Sequence, residues 1–388
     1  MQRSFAALES RVFDVLVIGG GITGAGIARD AAMRGLSVAI VEKAGWANGT
    51  SSKSSRLIHG GIRYLERGQI GLVRESVRER EILLRIAPHL VKPLEFTWPV
   101  YQGARLPKWK LRAGLTIYDL LAGKRRVRAH DSLDVSEVLE KEPGLKRDGL
   151  TGGASYYDAA TDDAGLTKAN VFSAVEHGAI AVDHAKAEST TATAGKADGA
   201  VLRDMITGAT TRVSARITVS ATGPWQAKGT KGSHIILPRS RVGNHSAVTL
   251  TSPDDGRVMF VLPSGDDTVV GTTDIYTTET PDDVKASDAE VAYLLRAARA
   301  YFPDSGLARD DVKGTWAGIR PLATAPAGTK PSSISREHRI SRDKMGVLIV
   351  TGGKLTTYRA MAAEVVNHIE LALSRKPNPA PTDEEPLP

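Results

Sequence analysis

The sequence predicts a mixed α/β protein of two domains, one built on a parallel sheet flanked by helices and one on an antiparallel sheet. Three observations carry this. Residues 13–42, FDVLVIGGGITGAGIARDAAMRGLSVAIVE, read as strand, glycine turn, helix, strand. A second strand, Val347 to Thr351, runs into Gly352-Gly353 and a helix expected from Thr357 to about Leu373. Between these lie the alternating runs HIILP, SAVTLTS and RVMFVLPSGDDTVVGTTD, separated by turn signals such as Ser264 to Asp267, as an antiparallel sheet requires. At 388 residues the chain is long enough for two cores.

The first stretch has a mechanism. Gly19, Gly21 and Gly24 form a G-x-G-x-x-G between strand and helix. Gly19 allows the tight turn, Gly21 lets backbone N–H groups approach a pyrophosphate, and Gly24 lets the helix close on the strand. The helix N-terminus adds unpaired donors and a positive dipole end. Glu42 ends the second strand, where an acid accepts hydrogen bonds from a ribose and disfavours a 2′-phosphate. The reading is a dinucleotide site.

Composition narrows the chemistry. With 41% hydrophobic and 24% charged residues the chain is an ordinary globular protein. It has no cysteine, which excludes disulfides, thiolate catalysis and cysteine-ligated metals; no metal site is expected. No apolar run reaches membrane-spanning length and the N-terminus lacks an apolar signal core, so a cytoplasmic protein is expected. The net charge of +7 reads either as a solvated surface or as attraction to anionic substrates or lipid; no nucleic-acid partner is expected.

Along the chain, Lys43 to Ser55 is a polar loop whose Thr50, Ser51, Ser52 and Ser54 either bond the cofactor or lie on a plain surface. His59-Gly60-Gly61-Ile62-Arg63 implies backbone pressed against something, with basic groups around it. A helix follows from Leu65 to Ala87, its VRESVRERE face read as solvated. Leu106 to Leu121 is a helix with basic residues at both ends, read either as core-packed or as lying in a membrane interface. Short helices are expected over Ser136 to Glu142 and Ala164 to His177, a hairpin around Asp204 to Ala209, and a buried strand Ile217 to Ala221 entering Thr222-Gly223-Pro224-Trp225. A helix over Ala286 to Tyr301 takes Ser287 as its N-cap. The proline-rich end, from Lys376, reads as linker.

Together GGGITGAGIARDAAMRGL, SSRLIHGGIRYLE, ATGPW, KGSHI, GTTD, GIRPL and GGKLTTYR resemble the FAD-dependent glycerol-3-phosphate dehydrogenases, a branch of the D-amino-acid-oxidase-like flavoproteins. The resemblance covers about Asp14 to Leu373. It implies a Rossmann-like FAD-binding domain of the glutathione-reductase/D-amino-acid-oxidase type, with an antiparallel-sheet substrate domain over the flavin. The expected division is 12–62, 151–225 and 315–375 for FAD, 63–150 and 226–314 for substrate, and 376–388 as linker to an absent helical C-terminal domain. It implies oxidation of sn-glycerol 3-phosphate to dihydroxyacetone phosphate, with hydride passing to flavin N5 and electrons to a quinone. FAD contacts are expected from Gly19, Gly21, Gly24, Glu42, Thr50, Ser51, Ser52, His59, Gly60, Thr222, Gly223, Gly353, Lys354, Leu355 and Thr356. Arg320 and Arg336 are expected mainly at the substrate phosphate, Arg63 and Lys354 nearer the reacting hydroxyl, and Thr273 at the substrate.

His234 in KGSH is the candidate base or else a structural histidine, and His59 is expected to shape backbone or contact flavin. The family departs from this chain in its further C-terminal domain, a longer loop after Trp225, and the residues at Gly165 and Ser220; a shortened or engineered form keeping both expected domains is expected. Oxygen in place of quinone, an anionic membrane surface touched from the cytoplasmic side, and oligomerisation stay open. The rival readings are a flavin oxidase of an amine or hydroxy acid, a non-catalytic flavin-binding remnant, and, less well supported by the two glycine turns, a nicotinamide dehydrogenase.

Overall fold

A computed structural model describes residues 4–123, 127–223, 229–320 and 337–388. The chain begins with α1 (Ala6–Glu9), β1 (Phe13–Ile18), α2 (Ile22–Met33) and β2 (Val38–Val41). It continues through β3 (Leu57–Ile58), α3 (Ile70–Ile86), β4 (Val91–Tyr101), α4 (Lys108–Ala122), β5 (Asp131–Leu133), α5 (Val135–Lys141) and β6 (Leu150–Thr161). Then come α6 (Asp163–Glu176), β7 (Ile180–Val182), β8 (Ala185–Thr193), β9 (Lys196–Asp204) and β10 (Thr210–Ser220). The antiparallel region holds β11 (Gly229–Pro238), α7 (Arg239–Val242), β12 (Ala247–Thr251), β13 (Val258–Ser264), β14 (Asp267–Gly271), β15 (Ile275–Thr277), α8 (Asp288–Tyr301) and β16 (Gly314–Arg320). β17 (Arg339–Arg342), β18 (Leu348–Thr351) and α9 (Tyr358–Ala372) close the chain.

Two sheets organise these elements. The first runs β17-β18-β10-β1-β2-β7, with β8 and β9 extending from β10. Its central strands β18, β10, β1, β2 and β7 are parallel, so their carboxyl ends share one edge. Buried on both faces, β1 and β2 are almost wholly apolar, as a covered parallel sheet demands. Helices α2, α6 and α9 pack together over this sheet, with Ile27, Val366 and Ile369 fully buried between them. The second sheet runs β15-β11-β14-β13-β12-β4-β6-β3, with β16 on β11 and β5 on β6. Helix α8 covers it, opening with the expected Ser287 cap, completed by Glu290 as a reciprocal capping box.

The structure corrects three expectations. β6 and β16 belong to the second sheet, not to the first: β6 pairs with β4 along its length and β16 with β11. Helix α3, placed by sequence with the substrate domain, sends Ile82, Leu83 and Ile86 into the core of the first sheet. Its VRERE face is only partly solvated, because α3 is wedged between α4 and the 355–357 turn; Arg78 is exposed, but Ser76, Glu79 and Arg80 are buried. Glu79 pairs with Arg359 at 2.6 Å, and Arg80 with Asp158 at 2.6 Å. The end of the chain is not a free linker either. Leu387 and Thr382 are buried, Leu387 N–H donates to Ile86 O at 2.7 Å, and buried Arg29 donates to Glu385 O at 2.8 Å.

Candidate active site

The parallel strands of the first sheet set the location. Ligands of open α/β sheets bind beyond the carboxyl ends of the strands. At that edge β1 ends in Gly19-Gly20-Gly21, β10 in Ala221-Thr222-Gly223, and β18 in Gly352-Gly353. Gly19 takes φ +115°, and a Cβ there would lie 2.9 Å from the Ala221 carbonyl carbon. A Cβ on Gly24 would lie 1.9 Å from Gly19 O, so only glycine lets α2 close on β1. Gly21 caps α2, with Ser51 Oγ accepting from Ile22 N–H at 2.9 Å. Glu42 sits where an acid was expected, and its two oxygens accept from Gly20 N–H (2.7 Å) and Ala44 N–H (3.1 Å).

A pocket opens from this cradle toward the second sheet, enclosing about 1210 Å³ of empty space, its open mouth included. Ile22, Thr50, His234, Arg320, Lys354 and Thr356 are among the residues that line it. The loop after β2 is fixed along it. Thr50 Oγ1 donates to Ile319 O at 2.7 Å, and Ser54 Oγ to Asp163 Oδ2 at 2.7 Å. Thr356 clamps His59, accepting from its N–H at 3.1 Å and donating to its carbonyl at 3.2 Å. Gly352 (φ +73°) and Gly353 (φ +91°) make the turn that brings Lys354, Leu355 and Thr356 in; a Cβ on Gly352 would meet Glu337 O at 2.6 Å.

His234 is buried on the sheet wall. Its ring stacks on Trp316 at 4.8 Å, and its Nε2 lies 2.8 Å from Ser55 Oγ. Burial, with Arg320 and Arg56 adding positive charge, pulls its pKa down to about 3, so the imidazole is neutral at neutral pH. Its Nδ1 is buried without a partner among the described residues. Arg320 lies on the same wall, held by Asp274 Oδ1 (3.1 Å) and Thr272 Oγ1 (3.1 Å). Lys354 Nζ stands 3.9 Å from the centre of the Tyr64 ring, and the Arg63 guanidinium 5.2 Å from it. Arg63, Tyr64 and Lys354 are therefore one cluster, with Tyr64 and Lys354 on the pocket wall.

The remaining expected residues make the following contacts. Thr273 is buried with its hydroxyl engaged, accepting from Ser233 N–H and donating to Glu290 Oε1, both at 2.8 Å; Thr272 and Asp274 turn toward Arg320 instead. Gly60 is pressed against α4: a Cβ would lie 2.2 Å from the Tyr118 hydroxyl. Ser52 Oγ makes a local turn bond to Gly49 O at 3.3 Å. Thr222 Oγ1 bonds Ser220 Oγ at 3.2 Å, and Gly223 takes φ +80°. Arg336 and the Pro224-Trp225 part of ATGPW lie outside the described residues. Sequence reasoning passed over Ser55, Tyr64 and Trp316, whose roles come from partners far along the chain.

The sequence pattern of the DAO family, FAD dependent oxidoreductase, matches residues 14–367. The chain belongs to this family. Within it, the chain is 40% identical over 375 residues to an aerobic glycerol-3-phosphate dehydrogenase of Staphylococcus saprophyticus, covering 93% of this chain and 67% of that one. The glycerol-3-phosphate dehydrogenase of Bacillus halodurans, solved with FAD, superposes with a TM-score of 0.80 at 32% identity, over 98% of this chain and 68% of that one. Glycine oxidase of Geobacillus kaustophilus shares the fold (TM-score 0.70, 20% identity, 98% and 99% covered). FAD is the cofactor of the family, and the residues present fit it. The cradle where Cβ atoms would clash with backbone accommodates a pyrophosphate against α2, Glu42 retains lone pairs for a ribose, and the 352–356 turn offers a second positive end. Among the described residues, no group of His, Cys, Asp or Glu is placed to hold a metal, and no helix is long and apolar enough to cross a membrane.

Proposed function

We propose that the protein oxidises sn-glycerol 3-phosphate to dihydroxyacetone phosphate and passes the electrons to a quinone. One observation carries the reading: a neutral, buried histidine shares a pocket with Arg320 and Lys354, beside the glycine cradle of a flavoprotein family. A secondary alcohol gives up a hydride from carbon and a proton from oxygen. FAD, when bound, supplies the hydride acceptor. The chain's own part is to hold the phosphate and to take the proton. Arg320 presents a planar fork suited to a phosphate, and Arg336 is assigned with it by sequence. Lys354 and Arg63, clustered on Tyr64, are assigned to the hydroxyl end. His234 is uncharged, so its ring has a lone pair for the hydroxyl proton. A phosphate dianion on Arg320 offsets one of the charges that holds the His234 pKa down, which raises its proton affinity when substrate is present.

The test is anaerobic mixing of FAD-loaded protein with glycerol 3-phosphate. Flavin absorbance should bleach, and recover faster with menadione than with oxygen. Bleaching by glycine or a 2-hydroxy acid in place of glycerol 3-phosphate identifies the related oxidases, and no bleaching by any of them identifies a non-catalytic binder.

A contact with anionic lipid is favoured by α4. Leu111, Leu115 and Tyr118 are buried, whereas Trp109 (73%), Ile117 (45%) and Leu120 (72%) are exposed, with Lys110 and Arg112 exposed beside them. An apolar stripe bordered by cations suits the interface of a phosphatidylglycerol bilayer. The protein should sediment with phosphatidylglycerol vesicles, and a variant with serine at all three positions should not.

A further inference from the structure

We infer that Asp274 and Arg257 are positioning residues that set both the orientation and the available charge of Arg320. The inference rests on the assignment of Arg320 to the substrate phosphate. Arg320 ends β16, and its guanidinium lies across Gly232 of β11: a Cβ on Gly232 would stand 2.3 Å from Nη2 and 2.7 Å from Cζ. Three acceptors fix it there. Nη1 donates to Asp274 Oδ1 at 3.1 Å and to Thr273 O at 3.3 Å, and Nη2 to Thr272 Oγ1 at 3.1 Å. Asp274 is itself held. Its side chain is 1% exposed, and its Oδ2 lies 3.2 Å from Arg257 Nη1, which comes from the turn between β12 and β13.

The arrangement addresses an electrostatic conflict. An arginine needs a carboxylate to hold it in place, but a carboxylate facing one arginine cancels the charge that should attract an anion. Here one buried carboxylate is shared between two guanidinium groups, and Arg257 also lies 3.7 Å from the half-exposed Asp255 carboxylate. Arg257 occupies one oxygen of Asp274, and Arg320 keeps part of its charge for the pocket. The charge it keeps is also felt by His234, where Arg320 is the largest cause after burial of the lowered pKa. The two positioning residues therefore have separable duties. Asp274 fixes where the guanidinium points, and Arg257 decides how much of its charge is left over.

The duties predict opposite signatures, read on FAD-loaded Asp274→Asn, Arg257→Gln and Arg257→Lys. Kinetics with glycerol 3-phosphate would be measured beside the Kd of inorganic phosphate, followed by its perturbation of flavin absorbance. Arg257→Gln should raise KM and the phosphate Kd about tenfold and lower kcat much less. Arg257→Lys should restore most of the affinity. Asp274→Asn should lower kcat by about 10- to 100-fold, the order expected for a misplaced contact, without weakening phosphate binding. Equal weakening of phosphate in both variants, or lowered melting temperatures with KM, kcat and phosphate Kd unchanged, overturns the inference. If wild-type flavin is not reduced by glycerol 3-phosphate but phosphate affinities follow this pattern, the substrate reading fails and the positioning roles stand. If wild type binds no phosphate, the positioning roles fall as well.

Discussion

His234 is where residue type and environment separate most. An ordinary histidine titrates near 6.5, while burial beside two arginines holds this one near 3. The unfolded chain takes up a proton at this position below about pH 6.5, and the folded chain does not until about pH 3. Folding stability from this site is therefore complete above the unfolded pKa and lost as pH falls below it. By pH 5 the loss amounts to about 2 kcal/mol. Urea midpoints between pH 7 and pH 5 should fall more steeply for wild type than for His234→Gln; equal slopes would contradict the assigned environment. The KGSH motif drew attention to this imidazole, but its neutrality was not legible there. That depends on Trp316, Arg320 and Arg56, which a linear reading has no way to bring around one ring. The environment of the Thr273 hydroxyl was hidden for a related reason. Its neighbours on either side reach Arg320, while its own hydroxyl faces Glu290.

At the scale of elements, the glycine turns and strands of the first sheet were readable because each has a local cause: φ sign, close approach, apolar run. Helix α3 was misread because i, i+4 charges look alike whether solvated or buried. Its Arg80 belongs to a buried junction. Asp158 of β6 accepts from Arg80 Nη1 (2.6 Å), the Tyr118 hydroxyl of α4 (2.6 Å) and Gly60 N–H (3.1 Å). Burial pushes the Asp158 carboxyl up, and Arg80, Tyr118 and Gly60 pull it the other way. The junction ties two helices to the residue next to His59, so it supports the pocket wall. Asp158→Asn removes one of two carboxylates from buried Arg80, which keeps Glu81 Oε1 at 2.6 Å, and should lower unfolding free energy by about 1.5–3 kcal/mol, measured by urea denaturation with FAD bound. A loss under about 1 kcal/mol, the range of an exposed pair, would mean that the junction is not a structural support.

At the scale of the whole molecule, two sheets meet at one pocket, and the chain crosses between them repeatedly. Both sheets were visible as classes of pattern, but the sheet to which each strand belongs was not. β6 and β16 look like strands of either sheet, and only pairing with β4 and β11 decides. The C-terminal stretch was opaque for another reason. Its prolines read as linker, yet Leu387, Thr382 and the Glu385 carbonyl dock on α2 and α3. Removing residues 377–388 should lower unfolding free energy by about 3 kcal/mol, from one exposed leucine pocket and the broken bonds of buried Arg29. Thermal unfolding of the FAD-loaded protein checks this, and an unchanged midpoint would show the stretch to be passive.

The central claim is that this pocket grips a phosphorylated alcohol through Arg320. The most direct measurement compares kcat/KM for glycerol 3-phosphate and for glycerol, in wild type and in Arg320→Met. The account predicts a wild-type preference for the phosphorylated alcohol of about 10³ or more, falling by about 100-fold in the variant through the phosphorylated substrate alone, at the upper end of what a lost charged contact gives. Equal rates on the two alcohols in wild type, or an unchanged preference in Arg320→Met, would contradict it.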